Sequence, residues 1–423
     1  MKIIRVPNSA NFVSKVIQKQ PQKNKKIVES ILKDIQKNGD AAIRKYEKKF
    51  NNTNIENLRL SKSEIKSAYA KVSKEELQAI KLAKSRLQKT ESKIKSLLKN
   101  QTLQIDGIKI SKKFQPIQST GCYIPGGLAK YPSTVVMSVI PAKVAGVNRI
   151  VVVSPPRTDG NIDPLTIVTS DICGATEIYK TGGVQAIGAL SFGTKSIPKV
   201  DKIVGPGGTF VTLAKSMINE QTSIDMLAGP TELGIIADSS ANPRYVALDL
   251  ISQSEHSKDT FCYLITNSEK LAKSVNCIIS DLIPKIKRSE FVRPSLKQNG
   301  FIAICRNKSD MIKIANDMAP EHLQIMTRDS QKIASKITSA GLVLVGNDSP
   351  SSASDYLLGS NHILPTNGFG KIRGSLSVLD FIKTITNIST TKLSLKKISK
   401  HLQVFTDAEG LPNHYEAVRG RLE

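Results

Sequence analysis

From Lys25 to Phe50 the apolar residues Ile27, Val28, Ile31, Leu32 and Ile35 recur at helical spacing until Gly39-Asp40 interrupts them. Two capping-box patterns follow, Ser61-x-x-Glu64 and Ser73-x-x-Glu76. In each, a hydroxyl and a carboxylate can satisfy free amides at a helix start, so each predicts another helical segment. Leu103, Ile105, Ile108 and Ile110 flank Asp106-Gly107, which predicts a β-hairpin. Near Gly121 the pattern changes. Short β-branched runs at Ile150–Val153, Glu177–Tyr179 and Lys202–Val204 alternate with helical stretches at Met137–Val147, Val184–Leu190 and Phe210–Met217. That alternation predicts a mainly parallel sheet covered by helices. From Leu233 to about Thr384 a second α/β stretch offers strands at Leu233–Ala237, Thr260–Thr266, Phe301–Ile304, Leu323–Met326 and Gly341–Val345. The remaining residues read as a small helical tail with a polar turn around Glu409–Tyr415.

At 423 residues the chain is long enough for two domains or one interleaved α/β unit, and 39% hydrophobic residues suffice for sizeable cores. The absence of Trp and an aromatic content of 5% argue against a stacking platform for single-stranded nucleic acid. The formal charge of +25 is uneven: residues 1–113 hold 28 Lys and Arg against 10 Asp and Glu, a net +18. Such a front reads either as solvated, Lys-rich helical faces or as a nucleic-acid footprint. No nucleic-acid motif accompanies it, so the first reading is preferred, with only non-specific polyanion binding at low salt. The five cysteines form no CxxC pair, which predicts reduced thiols in a cytoplasmic protein. Met1–Phe12 lacks a long apolar run and does not read as a signal peptide. The apolar run Val135–Val147 is interrupted by Pro141 and Lys143, so no membrane span is expected.

All five histidines follow residue 255, and four sit in polar contexts: Gln253-Ser-Glu-His256, Pro320-Glu321-His322, Asn361-His362 and Pro412-Asn-His414. Imidazole is the commonest metal ligand and the usual base near neutral pH, so this concentration predicts one polar site built from distant segments. Taken singly, each is equally well an ordinary surface or core histidine, and His401 reads as that. Gln253 and His256 stand three residues apart after the helical run Val246–Ile251, so both can face one ion. Glutamine is an uncommon ligand, and spacing alone favours His256 with Asp259. Asp355 and His414 offer further donors; a mixed N/O set without thiolate suits Zn²⁺ or another borderline divalent metal. Glu321 and His322 open the strand Leu323–Met326, where successive residues face opposite ways. They can serve successive steps, one taking a hydroxyl proton and one activating water. Tyr123-Ile-Pro-Gly126-Gly127 and Gly205-Pro-Gly207-Gly208 are Gly-rich, and the second links a strand to a helix, a place for an anion such as pyrophosphate. Neither is GxGxxG, and a tight turn explains either as well.

Longer motifs go further. GCYIPGGLAKYPSTVVMSVIPAKVAGV, TGGVQAIGAL, GPGGTFVTLAK, IDMLAGPTELGIIAD, DLISQSEHSKD, APEHLQI, SASDYLLGSNHILPTNGFG and EGLPNHYEAVRGR together resemble histidinol dehydrogenase from about Gly121 to Arg421. The Lys-rich segment fits that family's helical front. The resemblance implies oxidation of L-histidinol to L-histidine, the last steps of histidine biosynthesis, in two hydride transfers through bound histidinaldehyde with two NAD⁺. It implies that Gln253, His256, Asp355 and His414 bind one Zn²⁺ per subunit, which holds the substrate's imidazole and amino nitrogens. His322 would take the alcohol proton, and Glu321 would activate the water that adds to the aldehyde. Thr231, His362 and Glu409 would join these residues in contacting substrate, and Tyr123 and Gln185 would contact NAD⁺. Gly208 stands where the family usually has an NAD⁺-contacting Asn, and Thr231 where Ser is commoner.

The implied fold is α/β: two incomplete Rossmann-like domains, one inserted in the other, with small helical N- and C-terminal extensions. Its divisions are expected at 1–20 for the N-terminal extension, 21–122 with 231–380 for the metal and catalytic domain, 123–230 for the inserted domain contacting NAD⁺, and 381–423 for the tail. An intertwined homodimer is implied, the tail carrying His414 and Glu409 into the partner's site. No specific nucleic acid and no membrane are expected as partners. The alternatives are a related Zn- and NAD-dependent dehydrogenase of another amino alcohol, and a polyanion-binding protein that retains the fold. An imidazole-reading His362 argues against the first, and intact Glu321, His322 and four ligands argue against the second.

Overall fold

Each stretch of strand–helix alternation folds into a parallel sheet, and the two sheets share one strand order. The computed structural model describes residues 1–7, 12–16, 24–126 and 130–423; Gly127 lies outside them. In chain order the strands are β1 (Lys2–Arg5), β2 (Gln101–Ile105), β3 (Ile108–Pro116), β4 (Ser119–Tyr123), β5 (Arg149–Ser154), β6 (Glu177–Lys180), β7 (Lys202–Val204) and β8 (Ser223–Ile224), then β9 (Glu232–Ala237), β10 (Phe261–Thr266), β11 (Phe301–Ile304), β12 (His322–Met326), β13 (Leu342–Val345) and β14 (Ile382–Ser389). One sheet runs β6-β5-β4-β7-β8 and the other β1-β11-β10-β9-β12-β13, with parallel pairs throughout. Numbered within its own unit, each sheet reads 3-2-1-4-5, the dinucleotide-fold order without a sixth strand. β1 adds an edge beside β11. Since β1 precedes the five-stranded unit and β9 follows it, one unit is inserted in the other.

The strands are apolar because both faces are covered. Val151, Val152 and Val153 of β5, and Leu233, Ile235 and Ile236 of β9, are wholly buried. The helix Lys25–Asn51 buries Val28, Ile31, Leu32 and Ile35 of the stripe legible in the sequence, with Ile43 beyond it, against the helix Gly183–Phe192, while Ile27 of that stripe is exposed. The helix continues through Gly39, which takes a non-helical conformation and kinks it. Both predicted capping boxes form, as does the hairpin at Asp106-Gly107.

Three boundaries differ from the sequence reading. The helices between residues 25 and 96 pack on helices of the five-stranded unit, and β4 is a strand of that sheet, so residues 25–96 and 119–123 join the unit expected to begin at 123. Their apolar stripes need cover, and the helices Pro132–Ala145 and Gly183–Phe192 supply it. The N-terminal extension is not wholly helical: β1 pairs with β11 before the short helix Phe12–Val16. The tail likewise begins with β14, which makes an antiparallel sheet with β3 and β2 before the helices Lys392–Ala408 and Pro412–Leu422.

Ligands in such sheets usually lie beyond the carboxyl ends of the strands, where the order reverses. In the five-stranded sheet that place lies between the ends of β4 and β7, where Tyr123 and the Gly205–Gly208 turn stand. In the six-stranded sheet an ion-pair bridge spans that place. Lys308 Nζ, after β11, bridges Asp238, after β9, at 3.5 Å and Asp329, after β12, at 2.6 Å. All five cysteines are free. Among the described residues no helix is long and apolar enough to cross a membrane.

Candidate active site

The six-stranded sheet presents its candidate residues at the opposite, amino edge. β12 begins at His322 and lies between β9 and β13, which pairs His322 with Leu233 and with Leu342. Glu321 precedes the strand and is buried. Its Oε2 accepts the Glu232 N–H at 2.8 Å and lies 3.8 Å from His322 Nδ1. The two side chains therefore lie close together instead of on opposite faces, because Glu321 sits in the turn before regular pleating starts. His322 Nε2 meets Asp355 Oδ1 at 3.2 Å, while its buried Nδ1 has no hydrogen-bond partner among the described residues. Burial pushes the Glu321 carboxyl up to about 8. For His322 burial is the largest influence and works downward, but the Asp355 hydrogen bond and the neighbouring carboxylates outweigh it and raise the pKa. Asp355 is held below its ordinary range: burial works upward, and the His322 bond with the surrounding imidazoles overcomes it.

Helix Pro243–Ser254 follows β9 and returns to this amino edge, so its end delivers Gln253. The helix stops before His256, contrary to the sequence expectation, yet the His256 N–H still donates to the Gln253 carbonyl at 3.3 Å. Gln253 is buried and its Oε1 accepts from Ser351 Oγ at 3.4 Å. Ser351–Ser354 is a single helical turn ending at Asp355, whose carboxylate acts electrostatically on His256. His362 is engaged at both ring nitrogens: Nδ1 donates to the Asp355 carbonyl at 2.7 Å and Nε2 lies 3.4 Å from Thr134 Oγ1 of the five-stranded unit. Thr231 precedes β9, its carbonyl accepting from Phe261 N–H at 2.9 Å. Gln253, His256, Thr231, Glu321, His322, Asp355 and His362 thus share one edge. Asp259 is exposed and turned into a local loop. Glu409, just past the helix Lys392–Ala408, and His414, on the helix Pro412–Leu422, are exposed and make no hydrogen bond or ion pair to these residues. Among the described residues no three His, Cys, Asp or Glu side chains form a metal-holding group within the single chain.

The remaining candidates lie at the carboxyl edge of the five-stranded sheet. Tyr123 ends β4, and its hydroxyl accepts the Gly183 N–H at 3.2 Å. Gln185 is buried; its Nε2 donates to Glu47 Oε1 at 2.8 Å and its Oε1 has no partner among the described residues. Glu47, on helix Lys25–Asn51, also accepts from Thr181 Oγ1 at 2.8 Å and Gly182 N–H at 2.9 Å. The Gly205 turn passes so close to β4 that a Cβ there would lie 2.2 Å from the Tyr123 carbonyl oxygen. Beneath it the buried ion pair Lys215–Asp225 bonds the Gly205 carbonyl and N–H. Gly208 opens the next helix and is exposed. A cleft of about 1110 Å³ along β6, lined by Arg44, Arg59 and Lys62, holds none of the candidates.

The histidinol dehydrogenase family model matches residues 15–422, nearly the whole chain. The chain belongs to the histidinol dehydrogenase family. It is therefore an oxidoreductase of the dehydrogenase type, tied to histidine biosynthesis. It is 43% identical to a histidinol dehydrogenase from Methanocaldococcus jannaschii over 94% of this chain and 92% of the relative. One from Oceanobacillus iheyensis is 41% identical, covering 95% and 94%. A crystal structure of histidinol dehydrogenase from Elizabethkingia anophelis superposes with a TM-score of 0.94 at 36% identity, over 100% of this chain and 98% of that one. Sequence reasoning missed Glu232 and Glu47. Glu232 stands inside the Gly229-Pro-Thr-Glu232 motif. Glu47 shares the helical stripe of Ile43 and Tyr46, where an acid is out of place and is the one available signal.

Proposed function

We propose that the chain oxidises L-histidinol to L-histidine in two hydride transfers, histidinaldehyde staying bound between them, with NAD⁺ as oxidant and one Zn²⁺ per subunit. The observation carrying this reading is the amino-edge cluster of Glu321, His322 and Asp355 beside Gln253 and His256, in a chain of this family. The donor set fits zinc: an ionised Asp355 carboxylate, an imidazole and an amide oxygen with one long hydrogen bond. The fourth donor, His414, would come from the second copy in an intertwined homodimer, along with Glu409. The Gly208 turn and the unpartnered Gln185 Oε1 fit a dinucleotide. When bound, NAD⁺ takes a hydride from the reacting carbon in each step. When bound, Zn²⁺ provides a template for the substrate's imidazole and amino nitrogens.

The protein's own residues manage protons and orientation. His322 Nδ1, buried and unpartnered, takes the hydroxyl proton as the carbinol carbon loses hydride. Glu321 then takes a proton from the water whose oxygen bonds to the aldehyde carbon. The resulting hydrate loses its second hydride as His322 takes a hydroxyl proton. One histidinol, one water and two NAD⁺ give one histidine carboxylate, two NADH and three protons. Burial of Gln253, Glu321 and His322 limits water beside the reacting carbon, while His256 stands exposed at the rim. Five free thiols support a reducing, cytoplasmic setting for the enzyme.

The test is NADH formation from L-histidinol and NAD⁺, before and after chelation, with Zn²⁺ restored. Two NADH per histidinol, lost on chelation and recovered with Zn²⁺, is the expected outcome. No NADH from a folded, Zn-loaded dimer overturns the reading.

A further inference from the structure

The family resemblance gives roles to Thr231, Glu321 and His362, but none to the carboxyl group at their centre. Glu232 opens β9 and is buried. Its Oε2 accepts the Glu321 N–H at 3.2 Å, and its own N–H donates to Glu321 Oε2 at 2.8 Å. Its Oε1 accepts the Asn367 N–H at 2.9 Å. Asn367 lies in the segment that carries His362, and its backbone is left-handed at φ 54°. The neighbouring Thr366 Oγ1 receives the Gly229 N–H at 2.5 Å. One carboxyl group therefore joins the Thr231 turn, the Glu321 turn and the His362 segment.

Buried carboxyl groups are costly, and among the described residues no cation pairs with this one. Packing alone would be served by an apolar residue. What an apolar residue or an amide cannot do is accept two backbone N–H groups on two oxygens. The reciprocal bond also engages Glu321 Oε2 and leaves Glu321 Oε1 without a hydrogen-bond partner among the described residues. The titratable groups acting on or influenced by Glu232 are Glu321, His322, Cys262 and Tyr263. Burial pushes Glu232 itself up to about 7.

We propose that Glu232 is a positioning residue for Glu321, clamping its backbone and one carboxyl oxygen so that the other faces the water added to the aldehyde. This rests on the proposed role of Glu321. Glu232→Gln keeps the volume but sets an amide donor against one of the two N–H groups. The measurement, on Zn-loaded dimer, compares oxidation of histidinol to the aldehyde in a single turnover with oxidation of supplied histidinaldehyde. The aldehyde step should slow roughly tenfold or more, with the alcohol step and the KM for histidinol within about threefold. Glu232→Met, which removes the buried charge altogether, should show the same selective loss and serves if the Gln variant does not fold. Equal slowing of both steps, or no slowing of the aldehyde step, overturns the proposal. Glu321→Gln separates the two ideas: if it leaves aldehyde oxidation intact, the role of Glu321 falls first. If Glu321→Gln slows that step and neither Glu232 variant does, only the clamp falls.

Discussion

At Gly208 the backbone is ordinary, φ −68° and ψ 178°, and an added Cβ would meet no atom within 4 Å. Nothing in this position requires glycine. Asparagine there can cap the helix Thr209–Ile218 and offers a side-chain hydrogen bond to the cofactor. Gly208→Asn should leave the fold intact and lower the KM for NAD⁺ by up to roughly tenfold, read from initial rates. Glu91 supplies a pH dependence. It is buried on the helix Lys74–Ser96, accepts the Val378 N–H at 2.6 Å, and is pushed by burial from an ordinary 4.5 up to about 7. The folded chain therefore holds this proton more tightly than the unfolded chain. The stability it carries is complete below about pH 4.5 and is lost as pH rises through about 7. Glu91→Gln should raise the melting temperature at pH 8, by up to ~3 kcal/mol of stability, and leave it little changed at pH 4.5. At this scale polar residues in punctuated contexts stand out in the sequence, and of those so marked Glu321, His322 and His362 come together around Asp355 while His414 stays apart within the chain. The sequence hid Glu232 and Glu47, whose roles depend on backbone N–H groups from segments far along the chain.

The helix Lys25–Asn51 shows what a Lys-rich element can conceal. Its outer face carries the charge that dominates the composition, while its inner face sends Glu47 into the turn between β6 and the helix Gly183–Phe192. Glu47→Ala strips acceptors from Thr181, Gly182 and Gln185 together. Under the proposed cofactor role of Gln185, it should raise the KM for NAD⁺ roughly tenfold with kcat within about threefold, and Glu47→Gln should recover most of the loss. Equal KM values for the alanine variant and the parent enzyme would sink this assignment. Elements with their own stripe or alternation were legible: the long helices, the capped starts, the hairpin and the inner strands. β1 and β14 were not. β1 has four residues with charged ends, and β14 is mostly exposed, so neither shows a buried run. Each is fixed by a partner, β11 or β3, more than 260 residues away.

Across the whole molecule, alternation of strands and helices announced parallel sheets, and the longer motifs announced the family. Local pattern could not say which edge of each sheet would carry chemistry, because that depends on how the two units face each other. It also could not show that Glu409 and His414 stay exposed and apart from the other candidates within one chain. Under the dimer reading, each site draws His322 from one subunit and His414 from the other. Mixing His322→Ala and His414→Ala subunits should then create one intact site per hybrid dimer and restore roughly a quarter of parental activity. No recovery in a mixture shown to contain hybrids argues that each site is built from one chain.

The Lys308 bridge between Asp238 and Asp329 has a bearing on timing. It spans the crevice where a sheet of this order would otherwise receive a nucleotide, and under the proposed cofactor role of Gln185 this leaves the five-stranded sheet as the berth. Two oxidations through one berth require the spent cofactor to leave and a fresh one to dock midway. Under the proposed function, the aldehyde must outlast that exchange at the amino edge of the six-stranded sheet, held by residues that do no chemistry on it meanwhile.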